Sequence, residues 1–284
     1  MPNNLQEEIV SKELHEILSL LFLSTKVDLC GSKPGFLHRR ITRRMLATNT
    51  NNYSEYLEYL KKNTNEIEAL QDILTINVSH FFRNSFTFEY LSKIIIPKII
   101  NNKIKANNPT LRIWSAGCST GEEAYSISIL IDNYLQKNNL HINLSIFATD
   151  IHQKSLDFAK KGEYPAESLK ETKLEIITNY FSQLDGKYTI LPKIKEMVHF
   201  SAFNLLNNQQ YAPEESIYGD FDLILCRNVL IYFNKGYQEI IFNKLYKSMN
   251  SSSFLILGEA EEPTGIYEKR FHKESIYFKI YNKL

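Results

Sequence analysis

LRIWSAGCSTGEEAYSI, Leu111 to Ile127, decides the architecture. Its apolar opening predicts a strand ending at Ala116, followed by a turn of small residues and a helix that opens near Gly121. Gly117, Cys118, Ser119 and Gly121 would let a ligand approach the backbone closely. The third glycine of a dinucleotide fingerprint is missing. Glu122 and Glu123 already occupy the helix start, where a phosphate would otherwise be drawn. A ligand with a cationic end suits these acids better. A plain glycine-rich strand–helix turn, with acids favouring its helix end, accounts for the same residues.

Outward from this unit the chain alternates short apolar runs with helical stretches. Strands are expected at Leu111–Ala116, Leu144–Thr149, Met197–Ala202, Phe221–Cys226, Phe254–Leu257 and Ser275–Tyr281, and helices over 121–136, 152–161 and 235–249. This predicts an α/β fold with a largely parallel sheet covered by helices. Residues 162–200 break the rhythm with Gly162, Pro165, Asp185–Gly186 and Pro192. They read as a helical piece and then a small hairpin inserted between elements of the sheet, at about 178–200. Upstream, residues 11–75 are helical. Leu14, Ile17, Leu18, Leu21 and Phe22 form one stripe, Leu37, Ile41 and Met45 a second, Tyr53, Tyr56, Leu57 and Leu60 a third, and Ile67, Leu70, Ile73 and Leu74 a fourth. Gly31–Pro34–Gly35 separates the first two helices, and Ser54 is the expected N-cap of the third. Residues 99–110 (IINNKIKANNPT) read as a polar connector. The expected organisation is a helical N-terminal domain (1–75), a linker (76–110) and an α/β domain (111–284).

With 284 residues, 43% apolar and 23% charged, the composition is that of an ordinary globular protein. A formal charge of +1 argues against binding nucleic acid or membrane surfaces through bulk charge. No apolar run approaches the ~20 residues of a membrane span, and the opening MPNNLQEEIV is not a secretory signal. Cys30, Cys118 and Cys226 lie far apart and form no disulfide framework, which suits the cytoplasm. His15, His38, His80, His141, His152, His199 and His272 show no metal-ligand spacing, so no metal is expected.

Three further stretches carry polar residues where an α/β sheet binds ligands. LSIFATD ends in Asp150, placed to hold ribose hydroxyls or to cap the next helix. FDLILCRNVLIYF breaks from an apolar strand straight into Arg227 and Asn228, and FSAFNLL places Asn204 at another strand end. Before the sheet, Thr75-Ile-Asn-Val-Ser-His-Phe-Phe-Arg83 mixes Asn77, Ser79 and Arg83 with Phe81 and Phe82. These polar residues could face a ligand, or form an interdomain linker.

Taken together, these stretches resemble the CheR-type chemotaxis receptor glutamate methyltransferases, from about residue 15 to 280. N-x-S-x-FFR is similar to that family's N-x-T-x-FFR, and SAGCSTGEEAYS to its S-A-x-x-S-T-G-E-E-P-Y-S. FATDI, FNLL and CRNVLIYF with Asn234–Lys235 follow in order. Ser79 and Ala124 stand where the family has Thr and Pro, and Glu259 where Gly258–Glu261 would otherwise read G-H-S-E. The resemblance implies an all-helical N-terminal domain, then a Rossmann-like S-adenosylmethionine-dependent methyltransferase domain carrying a small inserted antiparallel β subdomain. It implies S-adenosylmethionine as cofactor and S-adenosylhomocysteine as product. Asn77, Ser79 and Arg83 would contact the cofactor from the linker. Glu123 would hold its methionine amino end and Asp150 its ribose. Asn204 and Leu205 would flank the adenine, and Arg227 and Asn228 would line the methionine end. Tyr232 would face the reacting centre, with Arg83 helping to orient the substrate carboxylate.

A glutamate carboxylate, with a pKa near ~4.3, is already nucleophilic at neutral pH, so no general base is required. The chain has eight arginines, and four of them, Arg39, Arg40, Arg43 and Arg44, lie in LHRRITRRM. No acid falls between Asp28 and Glu55. Arginine suits bidentate carboxylate contacts. By resemblance, Arg40, Arg43 and Arg44 would bind the acidic cytoplasmic domain of methyl-accepting chemotaxis receptors. No nucleic acid, no direct membrane insertion and nothing beyond a monomer are expected.

Overall fold

The computed structural model describes residues 3–284 apart from 26, 28, 30, 76–78 and 208, with side chains from residue 12 onward. The chain divides into two compact units: Met1–Asn77 with Tyr232–Asn234, and Val78–Ile231 with Lys235–Leu284.

The first unit contains α1 (Asn3–Thr25), α2 (Pro34–Ala47), α3 (Tyr53–Lys62) and α4 (Thr64–Leu74). Their apolar stripes meet in a core of Ile17, Leu21, Leu37, Ile41, Tyr56, Leu60 and Leu70. Phe22 lies off the stripe and is 44% exposed. Pro34 opens α2, where its missing N–H costs nothing. Asn52, not Ser54, caps α3. Its extended backbone lets the side-chain oxygen accept from Glu55 N at 2.9 Å, while Glu55 reaches back to Asn51 N at 2.8 Å. Ser54 lies inside the first turn. Tyr232–Asn234 belongs to this unit through Lys33 N to Tyr232 O (2.9 Å), Asn234 N to Gly31 O (3.1 Å) and the contact of the Tyr232 and Phe36 rings.

The second unit opens with helix rather than a polar connector. α5 (Ser85–Tyr90) passes through a π-turn (Leu91–Ile95) into α6 (Ile96–Lys105). Ile95, Ile96, Ile99 and Ile100 recur at helical spacing and are buried, which outweighs the polar residues between them. Pro97, lacking an N–H, falls just after the π-turn.

The main sheet contains β1 (Thr110–Ala116), β2 (Asn143–Asp150), β6 (Val198–Ala202), β7 (Phe221–Cys226), β8 (Met249–Leu257), β9 (Phe271–Lys273) and β10 (Ile280–Lys283). The order is β6-β2-β1-β7-β8-β10-β9; the first five are parallel, and β10 pairs antiparallel with both β8 and β9. The helices α7 (Glu122–Lys137), α8 (Gln153–Lys161) and α11 (Lys235–Ser248) connect the parallel strands. The expected strand Ser275–Tyr281 is mostly a turn. Ser275 Oγ accepts from Tyr277 N and Phe278 N, and Ile276 and Tyr277 are exposed.

Between α8 and β6, β3 (Glu163–Pro165), α9 (Leu174–Tyr180), β4 (Phe181–Leu184) and β5 (Lys187–Ile190) precede a short α10 (Pro192–Lys195). Asp185–Gly186 turns the β4–β5 hairpin with both φ positive. The small antiparallel sheet has the order β3-β5-β4 and starts at Glu163, earlier than the position 178 expected for the insertion. Three residues carry too little periodicity to reveal β3.

Candidate active site

The chain runs from β1 outward to β2 and β6, then returns to β7 on the other side of β1. The strand order therefore reverses between β1 and β7, and ligands of open α/β sheets bind at the carboxyl ends beside such a reversal. Register brings the candidate residues to one level there. Ala116 pairs with Thr149, Asp150 with Ala202, and Cys226 with Leu257.

Glycine is needed in the β1–α7 turn for reasons beyond ligand approach. Gly117 has φ +78°, and a Cβ there would overlap Val229 Cγ2. Gly121 has φ +92°, and a Cβ there would lie 2.7 Å from Ala159 Cβ and 3.1 Å from the Phe200 ring. Both glycines let neighbouring elements close onto the turn. Gly117 N and Cys118 N both donate to Thr149 O at 2.8 Å. Asp150 completes the fastening. One oxygen accepts from Ser119 N at 2.8 Å and the other from His152 N at 2.9 Å. It does not cap α8; His152 holds that position without a side-chain cap bond. Each Asp150 oxygen keeps a lone pair for a ligand hydroxyl. Burial pushes its pKa up, against the pull of these backbone N–H groups.

Glu123 accepts from Ser115 Oγ at 2.8 Å and faces Arg227 at 3.3 Å. Burial raises its pKa more than Arg227 lowers it. Arg227 is a clamp, with 2% of its side chain accessible. It donates to Arg83 O at 2.9 Å and to Asn84 Oδ1 at 2.8 Å, and its guanidinium lies over the Phe88 ring. Phe82 and Asn84 in the same turn have positive φ, so this turn depends on such ties. Phe82 N donates to Ser126 Oγ of α7, and Phe81 N to Ser168 O. Ser79 hydrogen-bonds Glu122, whose pKa burial also raises. His80 faces Glu171 at 2.8 Å. Asn77 lies outside the described residues.

Asn204 forms a turn at the end of β6, its side chain accepting from Leu206 N at 2.8 Å, and Leu205 beside it is buried. Asn228 has φ +59° and begins the turn after β7. Ser79, Arg83, Glu123, Asp150, Asn204, Leu205, Arg227 and Asn228 all belong to the second unit, whereas Tyr232, Arg40, Arg43 and Arg44 belong to the first.

Among the described residues, Ser119 Oγ and Arg227 Nε are buried polar atoms with no protein partner. Together with the desolvated carboxylates of Glu123 and Asp150, they fit a ligand with hydroxyls, a carboxylate and positive charge. S-adenosylmethionine has all three. No His/Cys/Asp/Glu group among the described residues could hold a metal ion.

Sequence reasoning passed over Asn84 and Ser115, took Ser119 only as a small turn residue and Glu261 only as the end of a motif. The signal for Glu261 was a charged residue shortly after an apolar strand, as at Arg227. It also read Arg44 without its partners. That guanidinium makes a bidentate pair with buried Glu66, at 2.8 and 2.6 Å, and Tyr56 OH donates to the same carboxylate at 2.7 Å. Arg44 is therefore a strut of the helical unit. Arg39 and Arg43 are exposed, and Arg40 lies over the Phe36 ring.

Two family models match: the CheR methyltransferase all-alpha domain over residues 12–75, and the CheR methyltransferase SAM binding domain over residues 77–278. The chain belongs to the CheR methyltransferase family. A chemotaxis protein methyltransferase of Borreliella burgdorferi is 31% identical over 265 residues, covering 92% of each chain. Chemotaxis protein methyltransferase 2 of Vibrio cholerae is also 31% identical over 265 residues, covering 91% of this chain and 89% of its own. Chemotaxis protein methyltransferase 1 of Pseudomonas aeruginosa is 36% identical over 199 residues, covering 68% of this chain and 69% of its own. The chain is an S-adenosylmethionine-dependent methyltransferase of the CheR type. No helix among the described residues is long and apolar enough to cross a membrane.

Proposed function

We propose that this enzyme methylates glutamate side chains on the cytoplasmic domain of methyl-accepting chemotaxis receptors, as a monomer in the cytoplasm. The observation that carries the reading is the acid-lined site at the strand-order reversal, in a chain matched from residue 12 to 278 by the two CheR domains.

When bound, S-adenosylmethionine supplies a methyl group on a positively charged sulfur. A substrate carboxylate would take that methyl group, its oxygen–carbon bond forming as the carbon–sulfur bond breaks and leaves its electron pair on sulfur, to give a methyl ester and S-adenosylhomocysteine. The carboxylate enters ionised, so the protein's work is alignment and exclusion of water. Asp150 uses its remaining lone pairs on ribose hydroxyls. Glu123 takes the ammonium, and Arg227 Nε and Arg83 serve the carboxylate end. Ser79 and Asn77 complete the linker side, Asn204 and Leu205 flank the adenine, and Asn228 borders the methionine. Tyr232 orients the incoming glutamate. In this reading residues 1–75 meet the receptor, 76–110 border the cofactor and 111–284 hold it.

The receptor face is narrower than the arginine cluster. Arg40 and Arg43 bind the acidic receptor helices, and Arg44 is held by Glu66. Combining Arg40→Glu with Arg43→Glu tests this. Receptor methylation is expected to fall at least about tenfold while cofactor affinity stays unchanged, because a like charge now meets an acidic surface. Undiminished methylation would remove this face from substrate binding.

A further inference from the structure

The buried carboxylate of Glu261 has no part in the chemistry above, yet it has an uncommon set of partners. Glu261 is 3% exposed. One oxygen accepts from Gly258 N at 2.7 Å and Asn228 N at 2.9 Å, and the other from Ile231 N at 3.2 Å. A single side chain leaving β8 thus ties both ends of the turn leaving β7. Charge-assisted bonds of this kind are about twice as strong as neutral ones.

The surroundings are built around it. A Cβ on Gly258 would lie 2.7 Å from the Glu261 carboxylate and 2.8 Å from Asn228 N, so a side chain there would displace one or the other. Asn228 sits in the left-handed region at φ +59°, a conformation that its bond to Glu261 helps to hold. The turn then reaches two parts of the site. Arg227 precedes it and clamps Glu123 and the Arg83–Asn84 turn. Val229 within it packs on Gly117.

We infer that Glu261 is a positioning residue for methyl transfer: it sets the backbone of the Asn228–Ile231 turn, and through it the Arg227 clamp and the cofactor-facing edge of β7. The inference rests on the proposed reaction for its activity readout, but not for its binding and exchange readouts.

Glu261→Gln is the test. The amide keeps one acceptor oxygen but turns an NH2 group toward a backbone N–H that needs an acceptor. Calorimetric affinity for S-adenosylhomocysteine and methylation per folded molecule are each expected to fall about tenfold or more, since a backbone donor is left unpaired. Amide exchange at Asn228 and Ile231 is expected to accelerate while the β7 interior stays protected. Glu261→Asp, a carboxylate one methylene shorter, is expected to restore part of the affinity that Glu261→Gln loses. If Glu261→Gln does not fold, Gly258→Ala displaces the carboxylate and keeps its charge, and the same losses are expected. Wild-type affinity and turnover in a folded Glu261→Gln protein would overturn the inference. Wild-type protein that binds S-adenosylhomocysteine but methylates no receptor would instead count against the proposed function, and the binding and exchange readouts would still decide the role of Glu261.

Discussion

Gly121→Ala separates two explanations for the small residues of the β1–α7 turn. If they serve only to admit a ligand, one methyl group should cost binding and leave folding intact. The structure gives a different account. Gly121 has φ +92°, where an L-residue is strained by about 1–2 kcal/mol. The new Cβ would lie 2.7 Å from Ala159 Cβ, which cannot rotate away, and 3.1 Å from Phe200 Cζ. Overpacking of this kind costs about 1–3 kcal/mol. The two sum to roughly 2–5 kcal/mol, a large part of the 5–15 kcal/mol that holds a typical domain together. Ala159→Gly alone should cost about 1 kcal/mol as a glycine inside α8. In the double variant the clash with Ala159 disappears, and the backbone strain, the Phe200 contact and the helix cost remain. Urea unfolding of the four proteins closes the cycle, with a coupling of about 1–3 kcal/mol expected in favour of the double variant. Gly121→Ala within about 0.5 kcal/mol of wild type, or a double variant with purely additive loss, would refute the packing argument.

The same reasoning gives four further expectations. Arg44→Met strands the buried Glu66 carboxylate; a part-exposed Arg44 softens the usual penalty, so unfolding free energy should drop by about 2–3 kcal/mol, measured by urea titration. Asp150→Ala leaves Ser119 N and His152 N without their carboxylate, and calorimetry should find S-adenosylhomocysteine affinity reduced about tenfold or more. Burial raises the pKa values of Asp150 and Glu123, so their ionised forms cost stability, and that cost lessens as pH falls through the folded-state values; a cationic ligand prefers the ionised forms, so S-adenosylmethionine affinity should rise with pH across that range and then level off. Buried Lys244 donates to Asn207 O and Gln210 O, and burial pushes its pKa down to about 8; between there and the ordinary lysine value the unfolded chain holds the extra proton, so stability should rise with pH in that window, and Lys244→Met should remove the rise.

The parallel strands were legible because each is a short apolar run ended by a polar or small residue, and burial on both faces requires that pattern. Elements that depend on partners were harder to see. β3 is three residues long and exists because Lys187–Thr189 offers it a ladder. The helix through Ile96–Lys105 was hidden by Pro97 and by Asn and Lys residues on its outer side, although its isoleucines kept helical spacing. Ser275 turned an apparent strand into a loop by hydrogen-bonding its own neighbours. In the site, Asp150, Arg227 and Asn228 stood out as polar residues at apolar strand ends and Glu123 as an acid at a helix start, but their partners did not. Arg44 looked like its neighbours in a basic cluster, and only the fold brings Glu66 and Tyr56 to it. Asn84 acts through the Arg227 guanidinium and Glu261 through the backbone N–H groups of Asn228 and Ile231, partners distant in sequence that no local pattern records.

The most direct test of the account is methyl transfer from tritiated S-adenosylmethionine to receptor-containing membranes, followed by mild base. The account predicts label on the receptor that is released as methanol, the signature of a carboxyl methyl ester. Base-stable label, or no label on membranes that a known chemotaxis methyltransferase still modifies, would contradict it.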